Sequence, residues 1–197
     1  MKNFPARRLA QRGVVLFIAL IVLVAMSLAG VAMVRSVDTA LGIAGNLAFK
    51  AATTQGTERG LQAAYTWLSA NAAGTTLQNT SAASGYYSSL AADPNWFDLA
   101  NWGGAVQVNA GTPDAVGNVT RYIIHRMCSG ADQPYNAAGN ACALYVPASG
   151  GTSGGSMAVG SFQFQGIPQV FYRITTRVDG PRSTVSITQT SILIDAT

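Results

Sequence analysis

The chain has 197 residues, of which 49% are hydrophobic and only 10% charged, against about 25% charged in an ordinary soluble domain. That length fits one domain, at most two, and the composition excludes a disordered acidic or basic chain. Seven Pro and 21 Gly are too few for a collagenous or low-complexity protein. The net charge of +4 belongs to the N-terminus: Lys2, Arg7, Arg8 and Arg12 supply it, and beyond them eight cations face eight acids. It gives no basis for a nucleic-acid-binding surface. One His and two Cys exclude a zinc site of four cysteines, or of two cysteines and two histidines, within one chain.

From Gly13 to Val34 no residue is charged, and Ser27 is the only polar side chain. As a helix this run is roughly 33 Å long, and a bilayer core is about 30 Å thick. The four cations before it are retained on the cytoplasmic side, which directs the remainder of the chain to the other side. Two readings compete. Ser27-Leu28-Ala29 has the small-x-small pattern of a cleaved secretory signal. The run is long for a signal, however, and helical spacing continues past it through Val37, Leu41, Ala44, Ala48 and Ala51, then Ala64, Tyr65 and Leu68. A retained anchor within one helix spanning residues 14–70 is the preferred expectation. Gly42, Gly45, Gly56 and Gly60 each weaken such a helix by about 1 kcal/mol against Ala, so bending or local melting is expected near residues 42–45.

Residues 71–84 read as a small polar linker, and Asp93-Pro94 as a turn. Short β-rich runs follow at 106–109, 119–127, 142–146 and 161–164, with a flexible loop over 148–155. At the C-terminus Val170, Tyr172, Ile174, Thr176 and Val178 alternate with the more polar set Phe171, Arg173, Thr175 and Arg177. Asp179-Gly180 signals a hairpin, Pro181 favours a longer loop than a two-residue turn, and residues 183–194 return. The expectation is an α+β fold: a long N-terminal transmembrane helix packed on an antiparallel β-sheet head, with a cytoplasmic leader (1–13), a helix (14–70, membrane half 14–34) and a head (71–197).

The sequence Arg12-Gly13-Val14-Val15-Leu16-Phe17 resembles the processing site of type IV prepilins. In that family a membrane peptidase cuts after the Gly and methylates the new N-terminal amine, here Val14. Gln11-Arg12-Gly13 and the block Ala44-Gly45-Asn46-Leu47-Ala48-Phe49-Lys50-Ala51-Ala52 resemble the N-terminal region of PilX-type minor pilins, whose "AGN" and "NLAFQAAE" blocks stand fused here. The stretch Phe171-Tyr172-Arg173-Ile174-Thr175, with Gly180-Pro181-Arg182-Ser183-Thr184-Val185, resembles their closing strands; residues 70–165 carry no resemblance. Most pilins have a Glu at the fifth residue after the cleavage Gly, where this chain has Ile18. In the family that Glu pairs with the amine of the subunit above. A subunit with none above it would hold an unpaired buried charge, so Ile18 points to the tip; the plain alternative is a lipid-facing substitution.

The resemblance implies a pilin-like fold and a minor pilin of the tip or priming complex that initiates pilus assembly, serving twitching motility and adhesion. Its implied partners are other minor pilins, the major pilin, a tip-associated adhesin, the prepilin peptidase and the inner-membrane assembly platform. Its implied location is a single pass of the inner membrane, N-terminus cytoplasmic and head periplasmic, and then the pilus tip. A type II secretion pseudopilin at the pseudopilus tip shares this logic, and a secreted sugar-binding β domain cleaved after Ala29 is a third reading. In a periplasm Cys128 and Cys142 become a disulfide, worth roughly 3 kcal/mol by loop closure.

No catalytic set, cofactor or metal site is expected. His125 reads as a strand surface residue. No G-x-S-x-G elbow or Lys-bearing phosphate loop is present. Asp93, Asn95 and Asp98 do not fit an EF-hand. Trp67, Trp96 and Trp102 read as core or subunit-interface residues rather than a sugar platform.

Overall fold

The computed structural model describes residues 14–90, 92–147 and 166–196. The leader with Gly13, the glycine-rich loop and the run expected at 161–164 lie outside the described residues. The elements are one long helix, α1 (Val14–Ala70), and six strands: β1 (Tyr86–Tyr87), β2 (Val106–Gln107), β3 (Val119–Arg126), β4 (Leu144–Tyr145), β5 (Gln169–Asp179) and β6 (Val185–Asp195). The chain forms two compact units that divide between Ala48 and Phe49. In the first, helical hydrogen bonding continues through Gly42 and Gly45 without the local melting expected there.

The second unit contains residues 49–70 of α1 and the sheet. β3 and β5 pair antiparallel at its centre, from Val119 opposite Asp179 to Arg126 opposite Tyr172. β6 follows β5 antiparallel over eleven residues, joined by the long loop 180–184 that Pro181 favours. β4 meets the start of β5 at Leu144 and Val170. The far edge of β3 takes β2 antiparallel and β1 parallel, with Tyr86 opposite Ile124. The sheet is therefore mixed rather than purely antiparallel. A two-residue strand has no alternation to detect, and the 30-odd residues between β1 and β3 allow a parallel return. The run expected at 106–109 pairs only as far as Gln107; Asn109 and Ala110 take positive φ and turn the chain away.

Val170, Tyr172, Ile174, Thr176 and Val178 are all buried, on the face where α1 packs. The helix meets them with the stripe Thr53, Gly56, Thr57, Gly60, Ala64 and Leu68, steps of three and four that keep one face inward. Its upper half is small. A Cβ on Gly60 would lie 2.9 Å from Thr120 Cγ2 and 3.1 Å from Thr176 Cγ2, and one on Gly56 would lie 3.1 Å from Val178. These glycines, which cost helix propensity, let helix and sheet approach closely; the Thr120 hydroxyl reaches the Gly56 carbonyl at 3.4 Å. Leu68, Tyr86, Tyr122 and Ile124 fill the wider end.

The opposite face is partly buried too, beyond its polar reading: Thr175 and Arg177 are buried, and Arg177 packs against the segment bearing Trp96 and Trp102. The supposed linker is also structural, because Leu77 is buried and its carbonyl accepts the Tyr86 hydroxyl. Replacing Gly60 with Val should destabilise the head by about 2 kcal/mol through overpacking. Gly42→Ala, where nothing lies within 4 Å, should leave it unchanged. Urea midpoints of the detergent-solubilised chain check both.

Candidate functional site

The first candidate element is the apolar part of α1. Every residue from Val14 to Ala44 is exposed, including Leu16, Phe17, Leu23, Met26, Leu28 and Met33. The helix is long and apolar enough to cross a membrane, and no residue of its apolar window is buried. Ser27, its one polar side chain, donates to the Leu23 carbonyl at 2.8 Å, so no polar side chain in the span is left without a partner. Arg35 and Asp38 are the first charges after it. Ile18 is 54% exposed on this surface, and Val14 begins the helix.

The second element is the head, held by three ties. Cys128 and Cys142 are disulfide-bonded, with Cα atoms 4.0 Å apart. Within the loop they close, Ser129 N donates to the Ala141 carbonyl at 2.9 Å. Beside it Arg126, 2% exposed, donates Nε to the Ser88 carbonyl at 3.0 Å and Nη2 to the Gln133 carbonyl. Asp132 accepts Thr80 N at 2.6 Å and the Ser88 hydroxyl at 3.0 Å. Those bonds hold its carboxyl below the ordinary value. Burial pushes the Tyr86 hydroxyl well above the usual phenol range. The third tie joins loop to helix: Arg59 meets Asp114 at 3.1 Å.

The outer aromatic layer shows what the candidate ligand residues do instead. Asp93 accepts Trp96 Nε1 at 2.7 Å and pairs with Arg173 at 3.2 Å. Asn95 accepts Phe97 N at 3.1 Å, and Asp98 caps the short turn at Ala100 N. Their oxygens serve the fold, and no His, Cys, Asp or Glu cluster able to hold a metal occurs among the described residues. Trp96 and Trp102 pack edge-on at 5.2 Å. Trp67 lies against Tyr86 at 5.3 Å on the other side of the sheet. Arg177 lies over Trp102, donates to the Trp96 and Phe97 carbonyls at 3.4 and 3.2 Å, and bonds Asp179 at 2.9 Å.

His125 is half-buried rather than an open strand-surface residue. Its ring stacks on Tyr87 at 5.2 Å and meets the edge of Trp96 at 5.8 Å. A lone His in a strand gave no hint that residues 93–102 fold over it. Among the described residues its Nδ1 has no hydrogen-bond partner. Burial first, and then the neighbouring Arg173, depress its pKa to about 4, with Asp93 opposing. No protein family, characterised protein or solved structure matches the chain.

The depressed His125 generates an acid dependence. The unfolded chain takes up this proton near 6.5 and the folded head only near 4. The unfolded state therefore binds more protons between those values, and stability falls as pH drops through them. Asp132, held low by its hydrogen bonds, acts further down, below the ordinary carboxylate value of 3.8. The melting midpoint should be flat above pH 7 and decline toward pH 4, a loss of about 1–3 kcal/mol. His125→Gln should remove most of that slope in a thermal melt series; an unchanged slope would contradict the assignment.

Proposed function

We propose that this chain is a structural subunit of a type IV pilus-like filament, a minor pilin of the complex that starts and caps the fibre. The observation that carries the reading is the fully exposed apolar helix surface over residues 14–34, preceded by a basic leader ending in Gly13. Water cannot be the resting environment of such a surface. Lipid suits it before assembly, and the apolar helices of neighbouring subunits suit it afterwards. The small residues Ala25, Ala29, Gly30 and Ala32 let helices approach closely in either setting.

Cleavage after Gly13 would remove the cations on the cytoplasmic side and leave the anchor, now starting at Val14. The head would then wait in an oxidising periplasm, where its disulfide persists. Ile18 supports a place with no subunit above, since a carboxylate there would lack an amine to neutralise it. The partners follow from this reading: other minor pilins, the major pilin, a tip adhesin, the prepilin peptidase and the assembly platform.

Gly13→Leu is the direct test. In a cell that makes the protein, the precursor should accumulate uncleaved in the inner membrane, and surface filaments should fall several-fold. Normal maturation of this variant would contradict the proposal. Normal filaments with lost protein secretion would move the chain to a secretion pseudopilus.

A further inference from the structure

The segment that carries Trp96 and Trp102 forms a groove with β6. Pro94, Asn95, Trp96 and Phe97 from that segment, and Ile187 and Gln189 from β6, line about 420 Å³. That volume lies in the range of small-molecule sites, about 300–1,000 Å³. Every lining residue belongs to the second compact unit, so the groove does not depend on the anchor.

Phe97 is 80% exposed, an unfavourable state for a ring of that size in water. Its backbone is nevertheless held from both sides. Its N–H donates to Asn95 Oδ1 at 3.1 Å, and its carbonyl accepts Arg177 Nη1 at 3.2 Å. Arg177 is itself buried and paired with Asp179 at 2.9 Å. Trp96, next to it, is buried with its Nε1 committed to Asp93. The exposed ring therefore stands on a fixed frame. The two amide side chains are oriented as well. Asn95 is held by the bond from Phe97 N, and Gln189 Nε2 donates at 3.3 Å to Oγ1 of the buried Thr175. Among the described residues Asn95 Nδ2 and Gln189 Oε1 have no partner.

The groove thus offers one donor and one acceptor among the apolar surfaces of Pro94, Phe97 and Ile187, and none of its six residues is charged. An ionic ligand would lose hydration there and meet no opposite charge. An acyl chain or aliphatic side chain would strip water from both amides without replacing it. A neutral sugar ring has an apolar C–H face and a rim of hydroxyls, each able to donate and accept. The face suits an aromatic ring, and the rim suits a fixed amide donor and acceptor. We propose that the groove between residues 94–97 and β6 binds a neutral glycan, with Phe97 as the stacking platform and Asn95 and Gln189 as the groups that read its hydroxyls.

The test uses the full chain in lipid nanodiscs and, as probe, an array of neutral oligosaccharides built on glucose, galactose, mannose and N-acetylglucosamine. At least one should bind, and high salt should not weaken it, since no charge takes part. Phe97→Ala should weaken that binding about tenfold at an unchanged melting midpoint, whereas Phe97→Trp should retain it. Gln189→Leu should weaken it several-fold. Acrylamide should quench the added indole of Phe97→Trp; a shielded indole would mean that the platform is covered and would overturn the proposal. Binding to no member of the array would overturn it too, as would binding that salt abolishes or that Phe97→Ala leaves intact. A Phe97-dependent affinity for a peptide of alternating Val and Thr, with none for any glycan, would make the groove a peptide site instead.

Discussion

The mismatch between the apolar surface of residues 14–34 and water governs everything else in this molecule. Moving about twenty such residues into hydrocarbon releases tens of kcal/mol at roughly 1.5–3 kcal/mol for each large side chain. The net stability of a domain is about 5–15 kcal/mol. No arrangement of the head competes with a term of that size. The span's one polar side chain also needs no water, because Ser27 bonds back to Leu23. Its environment is set by composition, and the head is what remains free to vary.

Residues 49–70 of the same helix obey a different rule. There the inward stripe is Thr, Gly, Thr, Gly, Ala and Leu, chosen for size rather than for helix propensity. Gly56 and Gly60 admit Thr120, Thr176 and Val178 to within ordinary contact of the helix backbone, and closeness replaces bulk as the source of packing energy. The disulfide and the Arg126–Ser88–Gln133 bonds then hold the loops that a small sheet cannot cover by itself. The result is a head in which β5 is covered on both sides, by α1 on one and by the Trp96–Trp102 segment on the other, while much of β6 stays exposed.

Much of this was legible in the residues. The membrane-length run, the end of α1 at Ala70, the inward face of β5 and the long β5–β6 loop follow from apolar spacing, alternation and Pro181. Other features were hidden for physical reasons. Glycine counts against a helix in isolation and for it only when a sheet arrives, so Gly56 and Gly60 read as weaknesses. β1 is too short to alternate. Arg173, Thr175 and Arg177 looked like a wet face, since nothing local reveals that Trp96 and Trp102 return to cover it. The half-burial of His125 was hidden for the same reason, since Trp96, some thirty positions earlier, packs against its ring. The candidate anchor was legible because its signal is compositional; the groove between residues 94–97 and β6 was not, because only tertiary folding brings its two parts together.

The most direct measurement is the intact mass of the mature chain extracted from the membrane fraction. The account predicts loss of residues 1–13 with one added methyl group, leaving Val14 as the N-terminal residue of a membrane-held protein. A mature species starting at Gly30 or later and recovered free of the membrane would contradict it.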